Sequence, residues 1–330
     1  MVSSPRIASL LPSATEIVCA LGAGPDLVGV SHECDFPADA VAGLPVLTST
    51  RVRKSPASAE IDRDVRAILR DALAVYEVDV GALERAAPDV VVTQDLCDVC
   101  AVSLADVERA VRAIARPGVR IVNLHPTRLE EVLGDVLAVG EAIGRSAEAA
   151  EVVRGIRARL EAVEARAAAI PGPRPAVLTV EWLEPVMVGG TWMPELVAIA
   201  GGAALAARAG DHAPTLGPAE LARLAPDVVV IKPCGFALAR TRAEIASFLE
   251  RIRPFDWPAT RAGRVWIADG NAYFNRPGPR IADSAEILAA CVHPTAFADL
   301  GKRHARAFEP ATLRDPSPGA GRSTPCSPAG

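Results

Sequence analysis

A long amphipathic segment at residues 146–170 constrains the fold of this chain more than any other feature. Its apolar residues recur at three- and four-residue steps: Ala149, Val152, Val153, Ile156, Leu160, Val163, Ala167 and Ile170. The pattern predicts one helix, which Ser146 caps and the Pro-Gly-Pro sequence at Pro171 ends. At 1.5 Å per residue this helix measures about 36 Å, roughly the width of a small domain. We interpret it as a strut between the regions on either side of it.

Short apolar runs alternate with helical patterns on both sides of this segment. The predicted strands are residues 6–10, 27–30, 90–93, 120–123, 176–180, 228–231 and 265–267. The predicted helices are residues 14–21, 79–87, 103–115, 129–143, 194–200, 218–224, 242–251 and 281–291. The alternation is typical of the α/β class. We therefore predict two Rossmann-like lobes with parallel sheets, joined by one long backbone helix.

The predicted domain boundaries follow from this order. The N-terminal lobe is assigned to residues 1–145, the linking helix to 146–170 and the C-terminal lobe to 171–304. Residues 305–330 turn to Pro, Ser, Gly and Arg, a composition that predicts a disordered tail. Residues 48–78 form an insert in the first lobe, with a helical stripe that predicts a packed element: Ile61, Val65, Ile68, Leu69, Leu73 and Tyr76.

The two lobes also share short sequences. The hexapeptide Ala-Pro-Asp-Val-Val-Val begins at Ala87 and again at Ala225. Glu16, followed by two apolar residues and a later glycine, has its counterpart in Glu195. These echoes indicate an internal repeat, with chance similarity between valine-rich strands as the alternative.

Composition excludes several classes of function. The chain is 50% hydrophobic and 23% charged, and its net charge of -5 argues against nucleic acid as a partner. No apolar run approaches the roughly 18 residues that a membrane-spanning helix needs, so no membrane insertion is expected. The N-terminus shows no signal-peptide pattern, which predicts a cytoplasmic protein, or a periplasmic or cell-envelope one if the start is mis-assigned. Seven cysteines, an odd number, favour reduced thiols over a disulfide framework.

Polar, aromatic and thiol residues follow the predicted strands. Ligands of open parallel sheets bind outside the carboxyl ends of the strands. The segments that follow the predicted strands are residues 12–15, 32–35, 94–100, 181–182, 232–236 and 271–276. The chain is only 4% aromatic and has five histidines, yet several aromatic residues, His32 and four cysteines fall in these segments. Apolar rings with amide and thiol donors favour a large flat ligand with polar edges.

The pair Cys97 and Cys100 has the C-x-x-C spacing of a metal or redox site. With His32, Cys34 or Cys234 it could complete a soft site for a metal such as zinc, although the absence of a second pair makes zinc the less favoured ligand. Neighbouring acids disfavour a redox thiolate, and two small buried residues at a turn are an equal alternative. No nucleophile elbow, phosphate loop or dinucleotide fingerprint is found, so no catalytic residue is assigned and an enzyme is not expected.

Several segments together resemble a known family. They are Ile-Ala-Ser-Leu-Leu-Pro-Ser-Ala-Thr-Glu from Ile7, Val-Gly-Val-Ser from Val28 with Asp35-Phe36-Pro37, the repeated Ala-Pro-Asp-Val-Val-Val, the linking helix and Asn-Arg-Pro-Gly-Pro-Arg from Asn275. Over about residues 5–300 the chain resembles the helical-backbone (class III) substrate-binding proteins of ABC importers, in the branch that binds cobalamin.

The resemblance implies a corrinoid, with cobalamin as the expected ligand, held between two lobes that move little. It also implies an ABC permease as a partner, although the docking acids expected near Gly81 and near Ala219 and Glu220 are not plainly kept. The candidate ligand-binding residues are Ser13, Ala14, Thr15, His32, Glu33, Cys34, Asp95, Leu96, Cys97, Glu181, Trp182, Trp192, Cys234, Phe236, Tyr273, Phe274 and Asn275.

His32 is the candidate axial ligand of cobalt, with a cysteine as the alternative, because cobalt accepts nitrogen and sulfur ligands. Two other functions stay open. One is a metal- or thiol-dependent enzyme or sensor that uses Cys97 and Cys100. The other is a siderophore or haem binder, which is disfavoured because few cations are available for an anionic chelate, chiefly Lys232, Arg276 and Arg280.

Overall fold

The computed structural model describes residues 4–52, 57–70, 76–94, 108–110 and 118–311. Within these ranges the strands are β1 (Ile7–Ser9), β2 (Leu27–Val30), β3 (Thr48–Thr50), β4 (Tyr76–Val78), β5 (Val90–Gln94), β6 (Arg120–Leu124), β7 (Ala176–Trp182), β8 (Val186–Val188), β9 (Ala203–Ala204), β10 (Thr215–Leu216), β11 (Val228–Ile231), β12 (Val265–Ala268) and β13 (Phe308–Pro310). The helices are α1 (Pro12–Ala20), α2 (Ala38–Val41), α3 (Ser58–Arg70), α4 (Val80–Ala86), α5 (Leu129–Ala142), α6 (Ser146–Ala168), α7 (Met193–Ile199), α8 (Pro218–Arg223), α9 (Leu238–Glu244), α10 (Ala246–Ile252), α11 (Pro258–Arg261), α12 (Ile281–Val292) and α13 (Ala298–Arg303).

The N-terminal lobe is built on a parallel sheet with the strand order β2-β1-β5-β6. Its central strand β5 is an apolar run that is buried along its whole length, as expected for a strand covered on both faces. The position of each strand agrees with its prediction to within one residue at either end. All four strands point the same way, so their carboxyl ends share one edge of the sheet.

The C-terminal lobe has a mixed sheet, of order β10-β8-β7-β11-β12-β13 with β9 beside β7. Its predicted parallel core is confirmed in β7, β11 and β12. Strands β8 and β13 extend this core in antiparallel orientation, with β10 beyond β8. These edge strands were not predicted, because two or three residues are too few to show an alternating pattern.

The prediction of a disordered tail from residue 305 is wrong for its first residues. Strand β13 pairs with β12, and the Phe308 ring packs edge-on against Trp266 with centroids 5.6 Å apart. Glu309 binds Arg242 with two hydrogen bonds of 2.6 Å. An apolar residue beside an acid is enough to dock this short strand, although the composition of the segment as a whole is polar. Residues 312–330 lie outside the described ranges.

The long predicted helix is present as α6, which ends at Ala168, two residues before its predicted end. Its buried face consists of Ala149, Val153, Ile156, Leu160, Val163 and Ala167, all members of the predicted stripe. The expected cap is wrong: Arg145 precedes the helix without a side-chain cap, and Ser146 is its first residue. The buried face packs on α5 of the first lobe and on α7 and α12 of the second.

Ion pairs fix α6 to both lobes. Arg157 binds Glu130 of α5, and Arg159 binds Asp283 and Glu286 of α12. Because one rigid helix packs and pairs with each lobe, the two-lobed α/β fold with a helical backbone is confirmed.

The insert at 48–78 contains the antiparallel pair of strands β3 and β4, with α3 between them in the chain. The amide of Ser58, at the start of α3, donates to Glu244 Oε2 of the C-terminal lobe at 3.0 Å. The insert thus contacts the second lobe, as a packed element would.

Two helix predictions have a different outcome. The predicted helix 242–251 is two helices, α9 and α10, that meet at Ile245. The predicted helix 103–115 lies outside the described residues except for 108–110. In the described part of the chain no helix combines the length and the apolar character needed to cross a bilayer.

Candidate functional site

Loops that follow parallel strands of the two sheets meet between the lobes. Asp35 follows β2 in the first lobe, and Asn271 follows β12 in the second. Asn271 Nδ2 donates to Asp35 Oδ2 at 3.0 Å. Of the loops that sequence reasoning assigned to the site, the one after β2 and the one after β12 therefore meet.

Arg276 is the centre of an ion-pair network that joins the lobes. Its Nη1 donates to Glu16 Oε1 at 3.1 Å, and its Nη2 donates to Asp35 Oδ2 at 3.0 Å and to Asn271 Oδ1 at 3.1 Å. Burial alone would raise the pKa of Asp35, but the hydrogen bonds and charge of Arg276 hold it below its usual value. Arg276 and Glu16 are buried, so this contact is shielded from salt.

Arg280 completes the network. Its Nε donates to Glu16 Oε2 at 2.7 Å, and a second nitrogen binds the other oxygen of the same carboxylate. The guanidinium also lies over two rings, 4.1 Å from the centroid of Phe36 and 5.3 Å from that of Tyr273. Two guanidinium groups thus share two carboxylates, and the network carries no net charge.

A second contact between the lobes mirrors the first. Glu195 Oε1 accepts from Arg128 Nε at 3.1 Å, and its Oε2 accepts from the Leu129 amide at 2.8 Å. Arg128 directly precedes α5, as Arg280 directly precedes α12. Glu16 and Glu195 are the residues that the two-lobe repeat aligns. Each lobe therefore sends one glutamate to the arginine before a helix of the other lobe.

The wall of the second lobe contains a buried lysine. Lys232, which follows β11, is 0% exposed, and its Nζ donates to Glu181 Oε2 at 2.7 Å and to Asn275 Oδ1 at 3.3 Å. Asn275 also donates to the Gly270 carbonyl at 2.8 Å, which holds the wide π-type turn at Gly270–Phe274. Glu181 therefore supplies the charge that Lys232 needs inside the protein.

An aromatic pair lies beside this wall. The rings of Trp182 and Phe236 pack edge to face with centroids 5.3 Å apart. Arg240 lies 3.7 Å above the Phe236 ring and binds Glu244. Phe236 is buried and supports Trp182, which is partly exposed.

His32 is held by the insert. Its Nδ1 lies 2.7 Å from Thr48 Oγ1, and its ring lies 5.1 Å from that of Tyr76. The other nitrogen, Nε2, is buried and has no hydrogen-bond partner, although Glu33 Oε1 lies 3.3 Å away. The neighbouring imidazole is the main reason that the pKa of Glu33 is lowered. Thr48 orients the imidazole through Nδ1, as a second partner does for metal-binding histidines, and a metal at Nε2 would replace the Glu33 carboxylate there.

The first turn of α1 supports the His32 loop. Thr15 Oγ1 lies 3.1 Å from Cys34 Sγ and 2.8 Å from Ser9 Oγ. Burial raises the pKa of the Cys34 thiol to about 11, so the thiol stays protonated at neutral pH. Ser13 Oγ is buried without a hydrogen-bond partner, which leaves it available to a ligand.

The predicted site residues fall into three groups. Residues at least partly exposed at the loops of the cleft are His32, Glu33, Cys34, Glu181, Trp182, Cys234, Tyr273 and Asn275. Residues buried in or behind the walls are Ser13, Ala14, Thr15, Trp192, Phe236 and Phe274. Residues outside the described ranges are Asp95, Leu96, Cys97 and Cys100. The roles assigned to the last group stay predictions.

Sequence reasoning assigned residues 32–35 and 271–276 to the site and named Arg276 and Arg280 as cations, but it did not predict the hydrogen bonds that join the lobes. The residues that form these bonds are Glu16, Asp35, Asn271, Arg276 and Arg280. One signal was present, because Glu16 and Glu195 had already been aligned by the repeat. A glutamate at the same place in both halves indicates a shared structural role.

A separate group in the second lobe has the spacing of a metal site. Oxygen and nitrogen atoms of Asp283, Glu286 and His304 lie within 4.8 Å of one another. Arg159 binds both acids, and Arg303 binds Glu286. Because guanidinium groups occupy the carboxylates, this cluster anchors α6 rather than holding a cation. In the described ranges His32, Cys34 and Cys234 do not form such a group.

The periplasmic binding protein family model matches residues 7–272, most of the chain. The chain belongs to the periplasmic binding protein family. Members of this family bind solutes, so the chain is a solute-binding protein and not an enzyme. No protein among those with curated functions matches it significantly.

Solved structures of this family share the fold. The periplasmic haem-binding protein RhuT of Roseiflexus sp. RS-1 has a TM-score of 0.67 and 23% identity, over 89% of this chain and 100% of that one. A periplasmic haem-binding protein of Pseudomonas aeruginosa has a TM-score of 0.66 and 23% identity, with 89% and 94% covered. The vitamin B12-binding protein BtuF of Vibrio cholerae has a TM-score of 0.58 and 19% identity, with 91% and 98% covered. At these identities the likeness establishes the fold alone.

Proposed function

We propose that this periplasmic binding protein binds cobalamin or a related corrinoid in the cleft between its lobes. The observation that carries the proposal is the charge balance of the described cleft. Each of its cations contacts a carboxylate: Lys232, Arg240, Arg276 and Arg280. A planar ligand whose edge carries amides fits such a site, because it needs hydrogen bonds and no counter-charge.

Haem and most siderophores have a different requirement. Their carboxylates or anionic chelating groups call for an arginine or lysine that the protein has not already neutralised. To bind Arg276, a propionate would have to displace Asp35, a carboxylate that already holds two of its nitrogens. The exchange replaces one ion pair by another and gains little.

His32 supports a metal-centred ligand. Its Nδ1 is held by Thr48, and its buried Nε2 lies 3.3 Å from the Glu33 carboxylate, which a metal would have to displace. Co(III) accepts an imidazole in place of an exchangeable axial ligand such as water. The proposal therefore includes His32 as an axial ligand of cobalt.

Haem is the second candidate, and one observation favours it. His32 lies against Tyr76, and imidazole and phenolate are both axial ligands of haem iron. Delivery to an ABC permease is part of the proposal for either ligand. The Glu220 side chain, near one expected docking position, accepts from the Gly217 amide at 2.7 Å and caps α8, so its carboxylate is already partly engaged.

The test is a titration with hydroxocobalamin and cyanocobalamin, followed by visible absorbance and by calorimetry. We expect one-to-one binding of both, with a spectral change only for hydroxocobalamin, whose axial water can exchange. His32→Ala should remove the spectral change and retain binding, and His212→Ala, at an exposed histidine, should change neither. Absence of binding to both forms, with saturable binding of hemin, would overturn the corrinoid proposal. If hydroxocobalamin shows the same spectral change with His32→Ala as with the wild-type protein, the axial role of His32 alone is refuted.

A further inference from the structure

The donors of Arg276 are almost fully used inside the protein. Nη1 donates to Glu16 and Asp35, and Nη2 donates to Asp35 and Asn271. A guanidinium has five N–H donors, so four contacts leave Nε as its remaining donor. A ligand carboxylate can form a bidentate pair with Arg276 only by displacing one of these partners.

The two carboxylates that bind Arg276 differ in exposure. The Glu16 side chain is 2% exposed and also holds Arg280, whereas that of Asp35 is 55% exposed. Asp35 belongs to the loop after β2, on the opposite lobe from Arg276. It is therefore the partner that stands between Arg276 and solvent, and the one that a ligand would meet first.

We infer that Asp35 determines ligand selectivity by neutralising Arg276, so that ligands with carboxylate edges are excluded and ligands with amide edges are accepted. A ligand carboxylate would meet the charge of Asp35 and would have to break a bidentate ion pair. A ligand amide carries no charge that Asp35 would repel and does not need to break the ion pair, and its N–H can donate to the exposed oxygens of Asp35. This inference rests on the proposed function.

The test compares two corrinoids that share a ring and a metal. Cobinamide carries amides at the ring edge, and cobyrinic acid carries carboxylates at the same positions. In Asp35→Asn, Arg276 keeps Asn271 and the Glu16 carboxylate, which it shares with Arg280, so that two guanidinium groups face one carboxylate and the network gains a net positive charge. We expect this variant to bind cobyrinic acid about tenfold or more tightly than the wild-type protein does. The gain corresponds to one charge-assisted hydrogen bond between a ligand carboxylate and Arg276. The affinity for cobinamide should stay within about threefold of the wild-type value, because a hydrogen bond to a neutral amide is weaker than one to a carboxylate.

Two controls separate this effect from general electrostatics. Asp39→Asn removes the same charge from an exposed residue of α2 and should change neither affinity. The double variant Asp35→Asn with Arg276→Gln should lose the gain, because the released guanidinium is absent. Circular dichroism and thermal melts check that each variant is folded, and Asp35→Ser is a second neutral substitution should the asparagine variant not fold.

The outcomes distinguish the inference from the function on which it rests. If the wild-type protein binds neither corrinoid, the proposed function fails. If it binds cobinamide but Asp35→Asn gains no affinity for cobyrinic acid, the inference alone fails. A gain that persists in the double variant, or that Asp39→Asn reproduces, would also overturn it, since the cause would then be net charge.

Discussion

The buried pair of Lys232 and Glu181 predicts an asymmetric response to substitution. Lys232 is 0% exposed, and the only carboxylate that the described contacts bring to its Nζ is Glu181, at 2.7 Å. Glu181→Gln leaves a buried ammonium with neutral partners. Removing one member of a buried pair costs about 3–5 kcal/mol of unfolding free energy. Glu181 is 25% exposed, so water partly replaces it, and we expect a value near the lower end, about 3 kcal/mol.

The opposite substitution should cost less. Lys232→Met removes the buried charge and keeps a side chain of similar length in an enclosed space. Glu181 then loses one charged hydrogen bond, but its exposed face allows water to solvate it. We expect a loss of about 1–2 kcal/mol. The double variant should be close to Lys232→Met, because the uncompensated charge is absent from both.

Urea unfolding followed by circular dichroism measures these differences, with comparison at equal m-values. Glu164→Gln removes an exposed acid from α6 and should change the free energy by less than about 0.5 kcal/mol. The reasoning is refuted if Lys232→Met is the more destabilising substitution. It is also refuted if Glu181→Gln costs no more than the surface control.

Three further predictions concern other contacts. Burial would raise the pKa of Glu286, but His304 and Arg159 hold the pKa at about 2. The ionised carboxylate therefore stabilises the folded protein fully above about pH 4.5, and this contribution is lost as the pH falls toward 2. Glu286→Gln should flatten the acid-unfolding curve between these pH values. Glu195→Gln, which weakens the cap of α5, should lower the free energy of unfolding by about 1–2 kcal/mol in a urea titration. Gly270→Ala would place a Cβ 2.1 Å from the Pro233 carbonyl oxygen. This clash should lower the free energy of unfolding by about 2 kcal/mol or more and weaken ligand binding measured by calorimetry.

Each of these predictions has a result that would contradict it. An acid-unfolding curve of Glu286→Gln with the wild-type slope between pH 4.5 and 2 would remove the contribution of that carboxyl. Wild-type stability in Glu195→Gln would mean that the contact between the lobes at α5 is unimportant. Wild-type affinity in Gly270→Ala would mean that the turn at 270–274 can move without disturbing the cleft.

The fold could be predicted because its main elements carry local signals. The apolar stripe of α6 and the valine-rich strands β5 and β11 are visible as periodicity and as continuous apolar runs. The edge strands were missed because they are short and depend on the neighbouring strands for their conformation. Strand β13 was missed because its segment is polar on average, although one apolar ring docks it.

For the candidate site, the sequence predicts which loops lie close together but not how their side chains pair. Strand ends identify which loops meet, and the structure brings Asp35 and Asn271 together as this rule requires. The sequence cannot show that Glu16 and Asp35 share Arg276, because the two acids lie in the first lobe and the arginine lies in the second, far away along the chain. Aromatic residues were assigned to the surface of the site by type, yet Phe274 is buried in the core. Which face of a loop is exposed depends on tertiary packing.

The central claim is that a cleft whose cations are already paired prefers a corrinoid to an acidic tetrapyrrole. Equilibrium competition between cyanocobalamin and hemin for the purified protein tests it most directly, with both ligands followed by absorbance. We predict that cyanocobalamin saturates one site and that an equimolar amount of hemin displaces little of it. Displacement of cyanocobalamin by equimolar hemin would contradict the account and make haem the ligand.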